Sequence, residues 1–262
     1  MWPVLAAEFV GTALLVAVGC SFVVLDFGAG SPAARLLPAD GARRALTGFL
    51  FGGTGALVAI SPVGKLSGAH LNPAVTLAFW LLRRIETRLA AAYVVAQLAG
   101  ALAGALALRA WGAMGASVRF GATLPGRPGV WVATLGEAAA TFCLVAGLLA
   151  FLRHPRLRAV TPGLFPVLYA VLVWLEAPLS GTSTNPARSL GPALVAGDLH
   201  GWWIYWLGPF LGTVGGVAVH RLRWARAVEI RVAKVFHFGH DRFGVFAHTA
   251  ARARRERRPA LR

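Results

Sequence analysis

The sequence has little charge. Only 14% of its 262 residues are charged and only 10 are Asp or Glu, whereas 57% are hydrophobic. Soluble domains have about 25% charged residues, and disordered chains combine low hydrophobicity with high net charge. Together with a mean hydropathy of +0.64, this composition excludes both classes and indicates an integral membrane protein.

Cysteine is almost missing. The two cysteines, Cys20 and Cys143, lie inside apolar runs, so the sequence offers neither a disulfide framework nor the spacing of a metal site. We interpret both as small buried hydrophobic residues. No combination of nucleophile, base and acid suggests an enzyme, and we predict no metal and no cofactor.

The charge that is present has one dominant sign. Lys and Arg number 26, and 12 of them follow from Arg221 onward, where only 3 acidic residues occur. A basic surface would suggest nucleic acid as a partner in a soluble protein. Here the concentration in a tail argues against nucleic acid. The loops on the two sides of the membrane carry equal numbers of basic residues, so only the basic tail decides the orientation. By the positive-inside rule it predicts that both termini are cytoplasmic.

Six apolar runs approach the ~20 residues that cross a bilayer. We expect an all-α integral membrane protein, in a bacterial inner membrane, with these spans: Val4 to Phe27, Ala45 to Ile60, Leu89 to Trp111, Val130 to Leu152, Thr161 to Pro178 and Trp202 to Val219.

Two further apolar runs are too short to cross, and each opens with the same three residues. Asn72-Pro73-Ala74 begins one run and Asn185-Pro186-Ala187 begins the other. Asn is a preferred N-cap and Pro a preferred first helical residue, so each run predicts a half-length helix. Non-helical backbone at that depth must be buried in protein or line a water-filled cavity, so two re-entrant segments imply a cavity.

The chain also repeats itself. Residues 1–111 and 130–222 each contain three spans and one half-helix, and Glu8 in the first span is matched by Glu137 in the fourth. An odd number of crossings per half inverts the second half, as in several transport proteins. We therefore expect a transmembrane channel domain over residues 1–222, followed by a basic cytoplasmic tail over residues 223–262.

These motifs resemble the paired signature of the aquaporin (major intrinsic protein) family. The first is SGAHLNPAVT from Ser67 and the second is TNPARS from Thr184, with an arginine after the second copy only. The resemblance covers residues 4 to about 222 and implies six transmembrane helices, two re-entrant half-helices and a homotetramer with one pore in each subunit. It also implies backbone carbonyls lining the pore at Gly68, Ala69, His70, Gly181, Thr182 and Ser183.

The resemblance implies a passive channel that conducts water and excludes protons and ions, and elementary electrostatics supports this function. Each helix N-terminus carries about half a positive charge, so two of them meeting at the midplane repel cations, including hydronium. Asn72 and Asn185 would donate hydrogen bonds to a water at that junction and prevent it from relaying a proton. Glu8 and Glu137 are interpreted as acceptors for the backbone of their own re-entrant loops. Glu176 has no counterpart and is expected to face the outer vestibule.

The resemblance also identifies a constriction that selects the solute. It assigns Arg188, Thr182 and Val173 to that constriction. The fourth position is Gly52, or Phe51 if the stretch from Ser61 to Gly64 contains one extra residue. None of these positions is a histidine. A filter of this kind is wider and less polar than one with histidine, which favours the passage of glycerol or urea beside water. Ser189, which stands where glycerol-conducting members usually have Asp, argues for water alone. An ion-coupled secondary transporter and a purely structural membrane protein are the alternatives from other classes.

Three interpretations of the tail remain open. In order of preference, it is an amphipathic segment on anionic lipid, a disordered solubilising tail, or a metal site formed by His237, His240 and His248.

Overall fold

The computed structural model describes residues 1–222 and 230–256, and its described residues form helices and connecting loops without a β-strand. The longer helices are numbered in chain order: α1 Trp2–Phe27, α2 Asp40–Ile60, α3 Pro73–Leu81, α4 Thr87–Ala107, α5 Val130–Arg153, α6 Thr161–Ser180, α7 Pro186–Ala196, α8 Ile204–Arg221 and α9 Val245–Glu256.

Helices α1, α2, α4, α5, α6 and α8 correspond to the six predicted spans. Four segments are long and apolar enough to cross a membrane by length and composition alone: Trp2–Phe27, Thr87–Ser117, Val130–Arg153 and Arg158–Ser180. Helix α2 is less apolar because it begins five residues before the predicted span, at Asp40. Six crossings return the chain to the side where it began, so Trp2 and Arg221, the first and last residues of this six-span bundle, lie at one face, which we call the terminal face.

The two half-helices begin where the sequence predicts. The Asn72 side chain accepts a hydrogen bond from the Ala74 amide at 2.7 Å, and the Asn185 side chain accepts from Ala187 at 3.1 Å. Each asparagine thus caps its helix, and each helix ends after 9 or 11 residues. The expectation of two re-entrant half-helices is confirmed.

The packing follows the repeat. The most extensive contacts join α1 to α4, α5 to α8, and α2 to α6 across the two halves, while α3 packs on α8 and α7 on α4. Close approach at the three most extensive crossings needs glycine. A Cβ on Gly48, Gly104 or Gly212 would lie 2.2 to 2.3 Å from a backbone carbonyl oxygen of the facing helix.

Residues 230–256, the C-terminal segment, pack against the terminal face of the channel domain. Ile230, Ala233, Val235 and Phe246 are buried there, so the described part of the tail is neither a separate surface segment nor unpacked. The described residues contain no group of three potential metal ligands, and the three tail histidines do not come together. A second expectation also fails, because Cys143 is exposed on the outside of the bundle while Cys20 is buried.

Candidate pore

The two re-entrant loops share one unusual backbone conformation. Gly68, Ala69 and Leu71 have φ values of 85°, 54° and 53°, and their repeat partners Gly181, Thr182 and Thr184 have 86°, 51° and 53°. Left-handed φ is costly for residues other than glycine and persists only when the surroundings enforce it. Its recurrence at equivalent positions means that both loops are held in the same shape, which sets where their carbonyls point.

The two Asn-Pro-Ala motifs meet and bind each other. Asn72 Nδ2 donates to the Thr184 carbonyl at 2.9 Å, and Asn185 Nδ2 donates to the Leu71 carbonyl at 2.9 Å. Each amide nitrogen carries a second hydrogen, and both asparagines line one cavity. Two helix N-termini and two amide donors therefore converge on the same space.

Glu8 holds the first re-entrant loop in place through hydrogen bonds to its backbone amides. One carboxylate oxygen accepts from the His70 amide at 3.0 Å, and the other accepts from the Leu71 amide at 2.8 Å and from Gln97 Nε2 at 2.7 Å. All three neighbours are donors, a set that favours an ionised carboxylate over a neutral carboxyl group. Glu8 is fully buried, and its contacts are structural.

Glu137 holds the second loop in the same way, with the amides of Ser183 and Thr184 each 2.7 Å from a carboxylate oxygen. Glu176 departs from expectation. It is buried at 7% exposure and does not face a vestibule. The Ser180 hydroxyl lies 2.6 Å from Glu137 Oε1 and 2.5 Å from Glu176 Oε1. A hydroxyl has one hydrogen, so Ser180 can donate to only one of the two carboxyl groups at a time.

Sequence reasoning missed two tyrosines, one for each re-entrant loop, that help to hold the loops in place. Tyr93 donates to the Ser67 carbonyl at 2.7 Å, and Tyr205 donates to the Ser180 carbonyl at 2.8 Å. The two tyrosines occupy α4 and α8, the third span of each half. A tyrosine in each of two apolar repeat-related spans was the available signal, because a buried hydroxyl needs a partner.

His70 uses its ring for packing. The ring stacks on Phe79 at a centroid distance of 4.7 Å and meets Tyr93 edge-on at 5.1 Å. Its Nε2 lies 3.0 Å from the carbonyl oxygen of Ala233 in the C-terminal segment. This last contact was not foreseen.

Two cavities are lined by the residues predicted to form the pore. The outer cavity, of about 230 Å³, opens toward the face opposite the terminal face and is lined by Val173, Gly181 and Arg188 among others. The central cavity, of about 50 Å³, contains Asn72 and Asn185. Since one water needs at least roughly 10 to 15 Å³ by this measure, the central cavity is large enough for water to enter.

Arg188 and Phe51 mark the place where the cavities approach each other. Arg188 is 4% exposed, donates from Nη1 to the Gly121 carbonyl at 2.8 Å, and has its Cζ 5.4 Å from the centroid of the Phe51 ring. Gly52 also lines the central cavity, but a Cβ there would lie 2.4 Å from the Phe165 carbonyl oxygen. Of the two second-span alternatives, Phe51 is therefore the side chain beside the arginine, and Gly52 permits helix packing.

Tyr169 is a further wall residue that sequence reasoning missed. It lines the central cavity, its hydroxyl lies 2.7 Å from Thr184 Oγ1, and its ring is 5.9 Å from Phe51. It places an aromatic face and an anchored hydroxyl beside the Asn-Pro-Ala junction.

The loop carbonyls predicted to line the pore are not equivalent. Ala69 and His70 line the central cavity and Gly181 lines the outer one. The Gly68 carbonyl instead accepts a hydrogen bond from the Val235 amide at 2.9 Å. Thr182 and Ser183 are buried in the second loop, next to the Glu137 support.

Comparisons with known proteins agree with this geometry. A family profile described as "Major intrinsic protein" matches residues 1–220. The chain is 35% identical to Aquaporin NIP1-3 of Oryza sativa subsp. japonica, covering 82% of this chain and 72% of that protein. It is 34% identical to Nodulin-26 of Glycine max, covering 83% and 76%.

Among solved structures, the fold is similar to that of the aquaglyceroporin from Plasmodium falciparum. The TM-score is 0.65 at 19% identity, over 85% of this chain and 95% of the other. These relatives lend no support to the expectation of a bacterial inner membrane. The profile match and the curated relatives establish the family: the chain is an integral membrane protein that belongs to the major intrinsic protein family.

Proposed function

We propose that the chain is a passive channel that conducts water and small neutral solutes and excludes protons and other ions. The observation that carries the proposal is the reciprocal pair formed by Asn72 and Asn185, which caps two helix N-termini at one cavity. The family membership and the relatives named aquaporins support the same conclusion.

Exclusion of protons follows from the donors at the junction. The second hydrogen of each asparagine amide donates to the oxygen of a water in the central cavity. That water then has both lone pairs engaged and cannot accept a proton from its neighbour in the file. The two helix N-termini add about half a positive charge each, in a site with little solvent to screen it.

Solute selection is assigned to the gap between the two cavities. Arg188 offers donors to a hydroxyl or carbonyl oxygen, while Phe51 and Val173 present apolar surface. One polar and one apolar wall suit a polyol or an amide as well as water. The loop positions Thr182 and Ser183, together with the carbonyls of Ala69, His70 and Gly181, complete the proposed path.

The remaining assignments follow from charge and family. The terminal face, with its basic tail, is cytoplasmic, and the subunits form a homotetramer in the bilayer with one pore each. No cofactor and no chemical step is required, so the protein is not an enzyme. A carrier coupled to an ion gradient is the competing function, and it predicts saturation and pH coupling.

Stopped-flow light scattering of proteoliposomes tests the channel. Osmotic water flux above that of protein-free liposomes, linear in the gradient, is expected, with glycerol and urea tested under identical conditions. Saturating flux would favour a carrier. Absence of flux in the wild type and in every tail variant described below would contradict the channel.

The filter is tested separately by Val173→His. An added imidazole narrows the gap beside Arg188, so glycerol flux is expected to fall at least tenfold while water flux is retained. Val173→Ala keeps the wall apolar and is the matched control, which should conduct both. Glycerol flux that survives Val173→His would remove Val173 from the filter.

A further inference from the structure

The C-terminal segment reaches into the channel rather than lying beside it. Val235 lines the central cavity together with Asn72 and Asn185. Its backbone amide donates to the carbonyl of Gly68 at 2.9 Å. This carbonyl is one that a molecule leaving the pore toward the terminal face would otherwise use.

The neighbouring residues of the segment bind the same rim. The Ala233 carbonyl lies 3.0 Å from His70 Nε2, and Lys234 Nζ donates to the Lys65 carbonyl at 2.6 Å. His237 Nε2 lies 3.0 Å from the carbonyl of Ile60, at the end of α2. A Cβ on Gly68 would lie 2.9 Å from the Ala233 carbonyl oxygen and 3.1 Å from Lys234 Cα, so the two backbones are in close contact. Consecutive residues of the segment thus take up polar groups around one entrance.

Contacts farther along the segment clamp it to other loops of the terminal face. The guanidinium of Arg158, between α5 and α6, lies 4.3 Å from the centroid of the Phe238 ring. Thr249 Oγ1 accepts from the Glu86 amide at 3.3 Å, ahead of α4. Loops from both halves of the channel therefore hold the segment against the terminal face.

We propose that the C-terminal segment is an autoinhibitory plug that closes the terminal-face entrance of the pore, with Val235 as the residue that blocks it. The plug rests on the proposed channel function and adds to it a closed state and an open state of the same chain. In the open state the segment leaves the entrance, the Gly68 carbonyl becomes available to permeating molecules, and the central cavity connects to the terminal face.

The chemistry of Lys234 makes this closure releasable. Lys234 has no exposed surface, its ammonium lies 4.5 Å from the centroid of the Phe246 ring, and within the described ranges it has no carboxylate partner inside 4 Å. A buried, unpaired charge opposes docking. Burial accordingly lowers the pKa of Lys234 to about 8. Apolar burial of Ile230, Val235 and Phe246 favours docking, so the two effects oppose each other.

Val235→Asp tests the plug in the full-length chain. A carboxylate in the central cavity would lose its hydration among mostly apolar side chains, and the described residues that line the cavity include no Lys or Arg to pair with it. Docking is therefore disfavoured, and stopped-flow water permeability is expected to rise about tenfold over wild type by a shift in population. The matched control is Gly239→Asp. It adds the same charge to the same segment at an exposed position where a Cβ meets no atom within 4 Å, and it should leave the permeability unchanged.

The outcomes separate the plug from the channel. Equal permeability of a conducting wild type and Val235→Asp would overturn the plug and leave the channel intact. No permeability in any variant would overturn the proposed function, and the plug with it. A rise in Val235→Asp but not in Gly239→Asp supports both.

A second measurement does not depend on flux. Lys234→Cys is expected to react with a membrane-impermeant maleimide much more slowly than Gly239→Cys, with the wild-type chain giving the background from Cys20 and Cys143. Adding Val235→Asp to Lys234→Cys should restore fast labelling. Labelling of Lys234→Cys at the rate of Gly239→Cys would show an undocked segment and overturn the proposal.

Discussion

Replacing Glu8 by Gln tests whether a buried carboxylate shapes the first re-entrant loop. Glu8 faces three donors: the amides of His70 and Leu71 and the side-chain amide of Gln97. Gln offers one acceptor oxygen and one NH2 group in the same volume. In either orientation, its NH2 faces a backbone N–H of the loop that has no other acceptor.

The expected cost follows from these contacts. A hydrogen bond to a charged group contributes about 1.5 to 3 kcal/mol, and a buried donor left unsatisfied costs about 1 to 3 kcal/mol. Gln97 Oε1 has no partner among the described residues, so the Gln97 amide can rotate and accept from Gln. That relief does not reach the backbone N–H. We expect Glu8→Gln to lower the free energy of unfolding by about 2 to 4 kcal/mol, or roughly 5 to 10 °C in apparent Tm.

Thermal unfolding in detergent micelles, followed by tryptophan fluorescence, measures this shift. Asp198→Asn is the matched control, because it removes a carboxylate that pairs with Arg119 at 3.4 Å on the surface, a contact that contributes less than about 1 kcal/mol. If Glu8→Gln melted within 1 °C of Asp198→Asn, a neutral carboxyl at position 8 would serve as well, and the inference of an ionised Glu8 would be wrong.

Two further predictions concern packing and pH. Gly48→Ala places a Cβ 2.2 Å from the Tyr169 carbonyl oxygen, whereas the Cβ of Gly53→Ala on the same helix meets no atom within 4 Å. In thermal unfolding, Gly48→Ala should destabilise the protein by about 1 to 3 kcal/mol, and Gly53→Ala should be neutral or slightly stabilising. Equal melting temperatures of the two variants would refute the close approach of α2 and α6. Raising the pH from 7 to 9.5 should reduce water permeability several-fold. Burial lowers the pKa of docked Lys234 to about 8, whereas a released lysine has a pKa near 10.4, so the docked lysine loses its proton first. The docked, closed state is therefore increasingly favoured as the pH rises through this window. Lys234→Met should lack this pH dependence, and a pH profile identical to wild type would contradict the assignment to Lys234. The other titratable groups that act on Lys234 or feel its charge are Asp241, Lys65, His70 and His240.

The junction could be predicted from sequence because its determinants are local. An asparagine followed by proline favours a helix start, so the caps at Asn72 and Asn185 could be predicted from these two residues and the apolar run that follows each pair. The equivalence of Glu8 and Glu137 followed from their matched places in the repeat. Both features needed only the order of residues along the chain.

Glu176 could not be placed in the same way, because its environment depends on how two helices are rotated against each other. It lies against Gly136, where a Cβ would come within 2.5 Å of Glu176 Oε1, and so it shares Ser180 with Glu137. Phe51 and Gly52 differ by one position and 100° of helix rotation. Only the packed structure shows which of them is beside Arg188.

The docking of the tail was beyond sequence reasoning for a related reason. Composition identified residues 223–262 as basic, and basic segments are usually solvated or bound to lipid. The short stretch Val232 to Phe238 within it is mostly apolar, which is the local signal. Its partner, however, is a rim of backbone carbonyls at Ile60, Lys65 and Gly68. No sequence pattern encodes that rim, because every residue has a carbonyl and only the fold turns these three toward one entrance.

This difference separates the two kinds of contact in the channel. The asparagine junction is specified by side chains, so we expect substitution there to change what passes. The plug is held by backbone carbonyls of the channel and by side chains of the segment, so its strength can change through the segment alone. Lys234, whose burial without a carboxylate opposes docking, lies in the segment and not in the pore wall. A chain built this way can adjust how often its entrance is open without altering the filter that decides which solute enters.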